Sequence, residues 1–270
     1  MEKQNPNQFS IQNLKMNKSD QKKRLDSLLV DRGLCPSRSK AQALILSGKV
    51  LVDGKVRDKP GIRFKQDCNI TIEEPLNPFV SRGGLKLEKA LDHFSIDVRE
   101  KVCIDVGAST GGFTHCLLMR GARRVIAIDV GYGQLDWSLR NDPRVVVMER
   151  TNFRHINPDS FPYKDNDLIV IDVSFISLKL ILPVAKELLR ADGLIVALVK
   201  PQFEVGPQHV GKGGIVKDPN LHKMVVDEIT RFSQEQLALL PLGVVESPIL
   251  GAKGNKEFLL TLKAKTSCCT

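Results

Sequence analysis

The sequence predicts an α/β protein in two parts: a small basic α+β module, then a larger, mostly parallel sheet wound with helices. Three observations carry that prediction. Val102–Val106, Arg124–Val130, Val145–Met148, Leu168–Ile171 and Leu194–Val199 are apolar runs without alternation, as expected of strands buried on both faces. Stretches of helical period separate them. The first run leads through a glycine-rich turn into a helix, in Val102–Thr114, VCIDVGASTGGFT.

The chain has 270 residues, 42% hydrophobic and 26% charged, which allows one large domain plus a smaller one. No run of about 18 apolar residues is present, so no membrane span is expected. The first twenty residues lack the apolar core of a secretory signal, and residues 1–23 are expected to be a disordered tail. Six cysteines, Cys35, Cys68, Cys103, Cys116, Cys268 and Cys269, make no CxxC pair, which fits a reducing cytoplasm. Five scattered histidines offer no ligand spacing, and no metal is expected.

The net charge of +9 is uneven: residues 1–75 hold 15 Lys+Arg against 9 Asp+Glu, and residues 76–270 hold 25 against 22. A basic excess in a small segment points to a polyanion such as nucleic acid, with a lysine-rich solubility tail as the plain alternative. Residues 24–75 form this module. Leu25, Leu28 and Leu29 recur at helical spacing, and Gly33 stops that helix. Ser37 caps a second helix that ends by Gly48 and buries Ala41, Leu44 and Ile45. Arg38 and Lys40 stand in its first turn, unfavourably for the helix dipole, and an external phosphate is the expected compensation. Asp53-Gly54 joins two short strands as a hairpin, and Ile70–Ile72 adds another. Arg24, Arg38, Lys40, Lys49, Lys55 and Arg82 are the expected RNA contacts.

Residues 76–84, with a proline and two glycines, are expected to be a linker, and residues 85–265 the larger domain. Its helices are expected at 85–93, 113–120, about 177–190 and 220–239. Strands at 242–246 and 257–263 close the sheet, the last of them antiparallel. The turn Gly107–Gly112 departs from the dinucleotide pattern GxGxxG because Ser109 replaces the second glycine, which admits a pyrophosphate. S-adenosylmethionine carries no phosphate and meets no such objection. A nicotinamide enzyme is accordingly disfavoured. For the cofactor, Asp105, Gly107, Ser109 and Gly111 are expected at the methionine end, Asp129 at the ribose and Asn152 at the adenine. Tyr132 and Trp137 belong either near the adenine or in the core.

Asp172 and Lys200 each end a buried run, where a charged group needs a partner. In an open α/β sheet the site lies beyond such strand ends. Lys86 and Glu257 are candidates to complete the set, with surface salt bridges as their plain alternative.

RLDSLLVDRGLCPSRSKAQALILSGKVLVDGK resembles the RNA-binding domain named after ribosomal protein S-four. DVGASTGGFT, DVGYGQLDWSLRNDPRVVVMERTN, DVSFISL and LVKPQFEVG together resemble the TlyA family of hemolysin-A-like rRNA methyltransferases, over residues 24–265. That resemblance implies a Rossmann-like class I methyltransferase sheet of the FtsJ/RrmJ type. It implies methyl transfer from S-adenosylmethionine to a ribose 2′-hydroxyl, typically of a cytidine in ribosomal RNA within ribosomal subunits. It also implies a catalytic tetrad at Lys86, Asp172, Lys200 and Glu257. A ribose hydroxyl must lose its proton as it attacks, and Lys200 is the expected base. Two rival readings are a membrane-lytic protein and a non-catalytic RNA-binding factor on a degenerate fold. No apolar span favours the first, and the complete tetrad argues against the second.

Overall fold

A computed structural model describes residues 22–73 and 77–265, within two compact units, residues 1–76 and 77–270. The expectation of a disordered tail falls, up to residue 21, outside the described residues, as do Cys268 and Cys269. Lys22 and Lys23 do not belong to a tail. They open strand β1 (Lys22–Arg24), which pairs antiparallel with β4 (Arg63–Lys65).

In the first unit, helices α1 (Leu25–Asp31) and α2 (Arg38–Leu46) cover the strands β2 (Val50–Val52), β3 (Lys55–Arg57) and β5 (Ile70–Ile72). Ser37 caps α2 by accepting the Lys40 N–H at 3.4 Å. Asp53 and Gly54 both take positive φ, 51° and 74°, the twist that matches a two-residue hairpin between β2 and β3. Leu25, Leu29, Ala41, Ile45, Val50 and Val52 form the fully buried centre.

The second unit opens with α3 (Gly83–His93), so two of the expected linker residues are helical. Gly84 is packed there: a Cβ on it would lie 2.2 Å from the Phe79 ring. Next come β6 (Val102–Val106), α4 (Gly112–Met119), β7 (Arg124–Ile128), α5 (Trp137–Arg140) and β8 (Val145–Met148). The chain then returns to the other side of β6 through β9 (Asn166–Ile171), α6 (Leu182–Glu187), β10 (Leu189–Val199) and α7 (Pro201–Glu204). The long α8 (Pro219–Glu235) and strands β11 (Leu239–Glu246) and β12 (Phe258–Ala264) complete it. The helix expected at 177–190 is a 3-10 turn and the short α6, because residues from Leu189 pair in β10.

The sheet order is β11-β12-β10-β9-β6-β7-β8. Strands β10, β9, β6, β7 and β8 run parallel, while β12 is antiparallel to both β10 and β11. Alternate residues feed two cores. Ile104, Val106, Ile126 and Ile169 face Leu182, Ala185, Val225 and Ile229 of α6 and α8. Cys103, Val125, Ala127 and Val170 face Leu87, Leu91, Phe113 and Leu117 of α3 and α4. The order reverses between β6 and β9, which opens a crevice at the carboxyl ends of those strands. Among the described residues no helix is long and apolar enough to cross a membrane, and no group of three or more His, Cys, Asp and Glu could hold a metal ion.

Candidate active site

Four strand ends deliver the site. Gly107 follows β6, Asp129 follows β7, Asp172 follows β9 and Lys200 follows β10. The backbone at Gly107 has φ 84°, and a Cβ there would lie 2.5 Å from the Asp172 carbonyl oxygen. Only glycine lets the two strand ends come this close.

Two cavities meet across that contact. One, of about 370 Å³, is lined by Arg82, Lys86, Gly107, Ser109, Asp172 and Lys253, among others. The second, of about 460 Å³, includes Asp129, Asn152, Phe153, Asp172, Phe175 and Ile181 in its wall. Gly107, Ser109 and Asp172 belong to both.

The four candidate catalytic residues form two ion pairs. Lys200 Nζ lies 2.6 Å from Asp172 Oδ1 and donates to Ser174 Oγ at 3.0 Å. Lys86 Nζ donates to Glu257 Oε2 at 2.5 Å. The Lys200 side chain is 9% exposed and that of Glu257 2%, so neither charge could stay there unpaired at low cost. Glu257 fits only because Gly251 has no side chain: a Cβ there would lie 1.8 Å from Glu257 Oε1.

The glycine turn is largely self-satisfied. Gly107 N–H and Ala108 N–H donate to the Ile128 carbonyl, Gly111 N–H to the Ala108 carbonyl, and Ser109 N–H to Asp129 Oδ2 at 2.8 Å. Asp129 Oδ1 accepts the Gly131 N–H at 2.7 Å. A pyrophosphate would meet engaged amides and a carboxylate here. A ligand with vicinal hydroxyls and no phosphate fits, because a carboxylate has acceptor capacity beyond two bonds.

Two expected cofactor contacts stand elsewhere. Asp105 does not reach the cavities. Strand alternation turns it to the Cys103 side of the sheet, beneath α4, where Oδ2 accepts the Thr114 N–H at 2.9 Å and the Thr114 hydroxyl at 2.7 Å. Burial pushes its carboxyl up to about 7, against the pull of the Thr114 hydroxyl. Its Oδ1 is buried with no partner. Gly111 does not line the cavities either. It starts α4 at φ 94°, and a Cβ would lie 2.3 Å from Leu139 Cδ1. Asn152 lines the second cavity, with Oδ1 accepting the Arg154 N–H at 3.2 Å. Tyr132 and Trp137 belong to neither the core nor that wall. They are 68% and 77% exposed, and the Arg150 guanidinium lies over the Tyr132 ring at 4.2 Å.

The expected RNA contacts also divide. Arg82 lines the first cavity and donates to the Leu250 carbonyl at 3.0 Å. Lys40 and Lys55 are exposed, and Lys49 is half-buried. Arg24 and Arg38 instead meet the fully buried Asp26 carboxylate, at 2.8 Å and 3.1 Å. Gln42 Nε2 donates to it as well. The Arg24 bond, with those from Gln42 and Arg38, holds that carboxyl well below the usual range despite its burial. At the start of α2, Arg38 thus has an internal partner in Asp26, while Lys40 is exposed and does not meet that carboxylate.

Sequence reasoning passed over Ser174, Phe175 and Glu204. Ser174 and Phe175 follow directly on Asp172, so their place past a strand end was the available signal. For Glu204 no signal was present beyond its nearness to Lys200.

The FtsJ-like methyltransferase family model matches residues 79–264, and the S4 domain model matches residues 23–67. "Putative rRNA methyltransferase YqxC" of Bacillus subtilis is 50% identical over 244 residues, 90% of this chain and 86% of the relative. "16S/23S rRNA (cytidine-2'-O)-methyltransferase TlyA" of Mycobacterium tuberculosis is 49% identical over 244 residues, 90% of each. The solved structure "Putative hemolysin from Streptococcus thermophilus" is 43% identical, with a TM-score of 0.71 over 90% of this chain and 89% of that one. With that match over most of its length and the crevice where the fold requires it, the chain belongs to the FtsJ-like methyltransferases and carries an S4 domain ahead of the catalytic sheet.

Proposed function

We propose that this protein transfers a methyl group from S-adenosylmethionine to the 2′-hydroxyl of a cytidine ribose in ribosomal RNA. The observation that carries the reading is the pair of cavities meeting at Asp172, whose carboxylate holds the Lys200 amine. One cavity takes the methyl donor and the other the acceptor ribose. The relatives named above carry rRNA methyltransferase and cytidine-2′-O-methyltransferase in their names, which supports substrate and position.

Bound S-adenosylmethionine supplies an electrophilic methyl group on a sulfonium. Asp129 would receive its ribose hydroxyls, Asn152 and the apolar wall of Ile128 and Phe153 its adenine, and Ser109 its amino-acid end. Lys200, as the neutral amine left once its ammonium has released a proton, orients the acceptor hydroxyl and takes its proton as oxygen attacks, with Asp172 and Ser174 fixing the amine. The Lys86–Glu257 pair positions the ribose from the other side. Arg82 and Lys253 on the acceptor cavity suit RNA phosphates, and Lys40, Lys49 and Lys55 of the S4 domain add contacts beyond the target. Ribosomal subunits in the cytoplasm are the proposed partner.

The test is transfer of labelled methyl to isolated small subunits, large subunits and stripped rRNA, followed by nucleoside analysis. Label in 2′-O-methylcytidine is expected. Label on a base would overturn the reading.

A further inference from the structure

We infer that Glu204 is a positioning residue for methyl transfer, a clamp that holds the loop after β9 against the short helix α7 that follows Lys200. The inference rests on the function proposed above.

The loop of residues 172–177 has two duties. It brings Asp172 and Ser174 to the Lys200 amine, at 2.6 Å and 3.0 Å. It also supplies Asp172, Val173, Ser174, Phe175 and Ile176 to the wall of the proposed donor cavity. Yet it has no regular structure of its own, and Phe175 sits at φ 63° with 90% of its surface exposed. A loop that sets both the base and the donor must be held from outside.

Helix α7 does this from its two ends. Lys200 precedes it and grips the start of the loop. Glu204 ends it and grips the finish: Oε2 accepts from Ser177 Oγ at 2.6 Å, and Oε1 accepts the Leu178 N–H at 2.8 Å. Between them the Phe203 ring meets Phe175 at 4.9 Å. Because both oxygens of one carboxylate are used, the loop is fixed against sliding and against rotation. The nearby charged groups, Lys179 and Glu228, are paired with each other. The Glu204 carboxyl is pushed above its ordinary value by burial, while Leu178 and Ser177 pull it back. With Lys179 and Glu228 paired to each other, the clamp rests on two placed hydrogen-bonding groups and not on an ion pair.

The experiment compares wild type, E204A, E204Q and S177A as full chains, reading melting temperature, Kd for S-adenosylmethionine and kcat at saturating substrates. E204A is expected to lower kcat by about tenfold or more and to raise the cofactor Kd several-fold. Affinity for RNA should not change. Glutamine keeps an acceptor for Leu178 and offers a donor to Ser177, so E204Q should stay within about threefold of wild type. S177A should fall between and add little to E204A, since E204A already removes the Ser177 contact along with that to Leu178. A residue that only supports the fold would lower the melting temperature and leave kcat and cofactor Kd of the folded enzyme within about twofold, which overturns the inference. Where E204A does not fold, S177A decides: kcat and Kd equal to wild type overturn it. A wild type that transfers no methyl group refutes the proposed function instead, and the ratio of cofactor Kd values still reports on the clamp.

Discussion

Lys200 Nζ stands 2.6 Å from Asp172 Oδ1, an ion pair formed between the ends of neighbouring parallel strands, β10 and β9. It joins the proposed base to the one acidic side chain shared by both cavities. Lys200→Met should reduce single-turnover methyl transfer by about 10²–10⁴-fold, the range for loss of a general base. Cofactor affinity should stay within about threefold, because Lys200 is not in the donor wall. Transfer at the wild-type rate would remove Lys200 from the mechanism.

The other pair depends on backbone. Gly251→Ala would place a methyl 1.8 Å from Glu257 Oε1 and drive that carboxylate off Lys86. The expected result is a fall in kcat close to that of Glu257→Ala, with the two changes far from additive when combined. Independent, additive losses measured in the double mutant would show that Gly251 acts by another route.

Asp105 makes stability depend on pH. Its carboxyl is raised from 3.8 to about 7, so between those values the folded protein keeps a proton that the unfolded chain has released. The stabilisation is complete below about pH 4 and falls as pH rises through about 7. Asp105→Asn can keep both bonds to Thr114 and has no such proton. The stability of wild type relative to D105N should therefore drop between pH 4.5 and pH 8, by an amount on the order of a few kcal/mol. Urea midpoints at the two pH values measure it, and an unchanged difference refutes the assignment.

In the S4 domain, exposed and paired cations should behave differently. Lys40→Ala and Lys55→Ala are expected to weaken RNA binding by a few-fold and to lower the slope of log K against log salt by about 1 each. Arg24→Ala should act chiefly on stability, because it deprives the buried Asp26 carboxylate of two hydrogen bonds. Filter binding across salt concentrations, read beside melting temperatures, separates the two. A full salt-slope change for Arg24→Ala with no loss of stability would make it a direct contact.

Local chemistry wrote much of this molecule into the chain. The span of β8 follows from an unbroken apolar run, that of β6 from a run interrupted only by Asp105, and the first hairpin from Asp53-Gly54, whose positive φ values few other pairs accept. Ser109 in the glycine turn pointed away from a dinucleotide. Asp172 and Lys200 stood out because buried strands seldom end in charge. Burial and backbone conformation are properties of short segments, so a single chain displays them.

Tertiary structure decided what depends on facing and on partners. Asp105 and Asp129 look alike at strand ends, but strand alternation sends the first beneath α4 and leaves the second on the cavity wall. Arg38 and Lys40 look alike on α2, but only Arg38 meets Asp26, twelve residues away. Glu204 closes on Ser177 across two strands that are adjacent only in the folded sheet. Charge and polarity are visible residue by residue. Which group neutralises or holds another is fixed by packing, and packing exists only once distant segments meet.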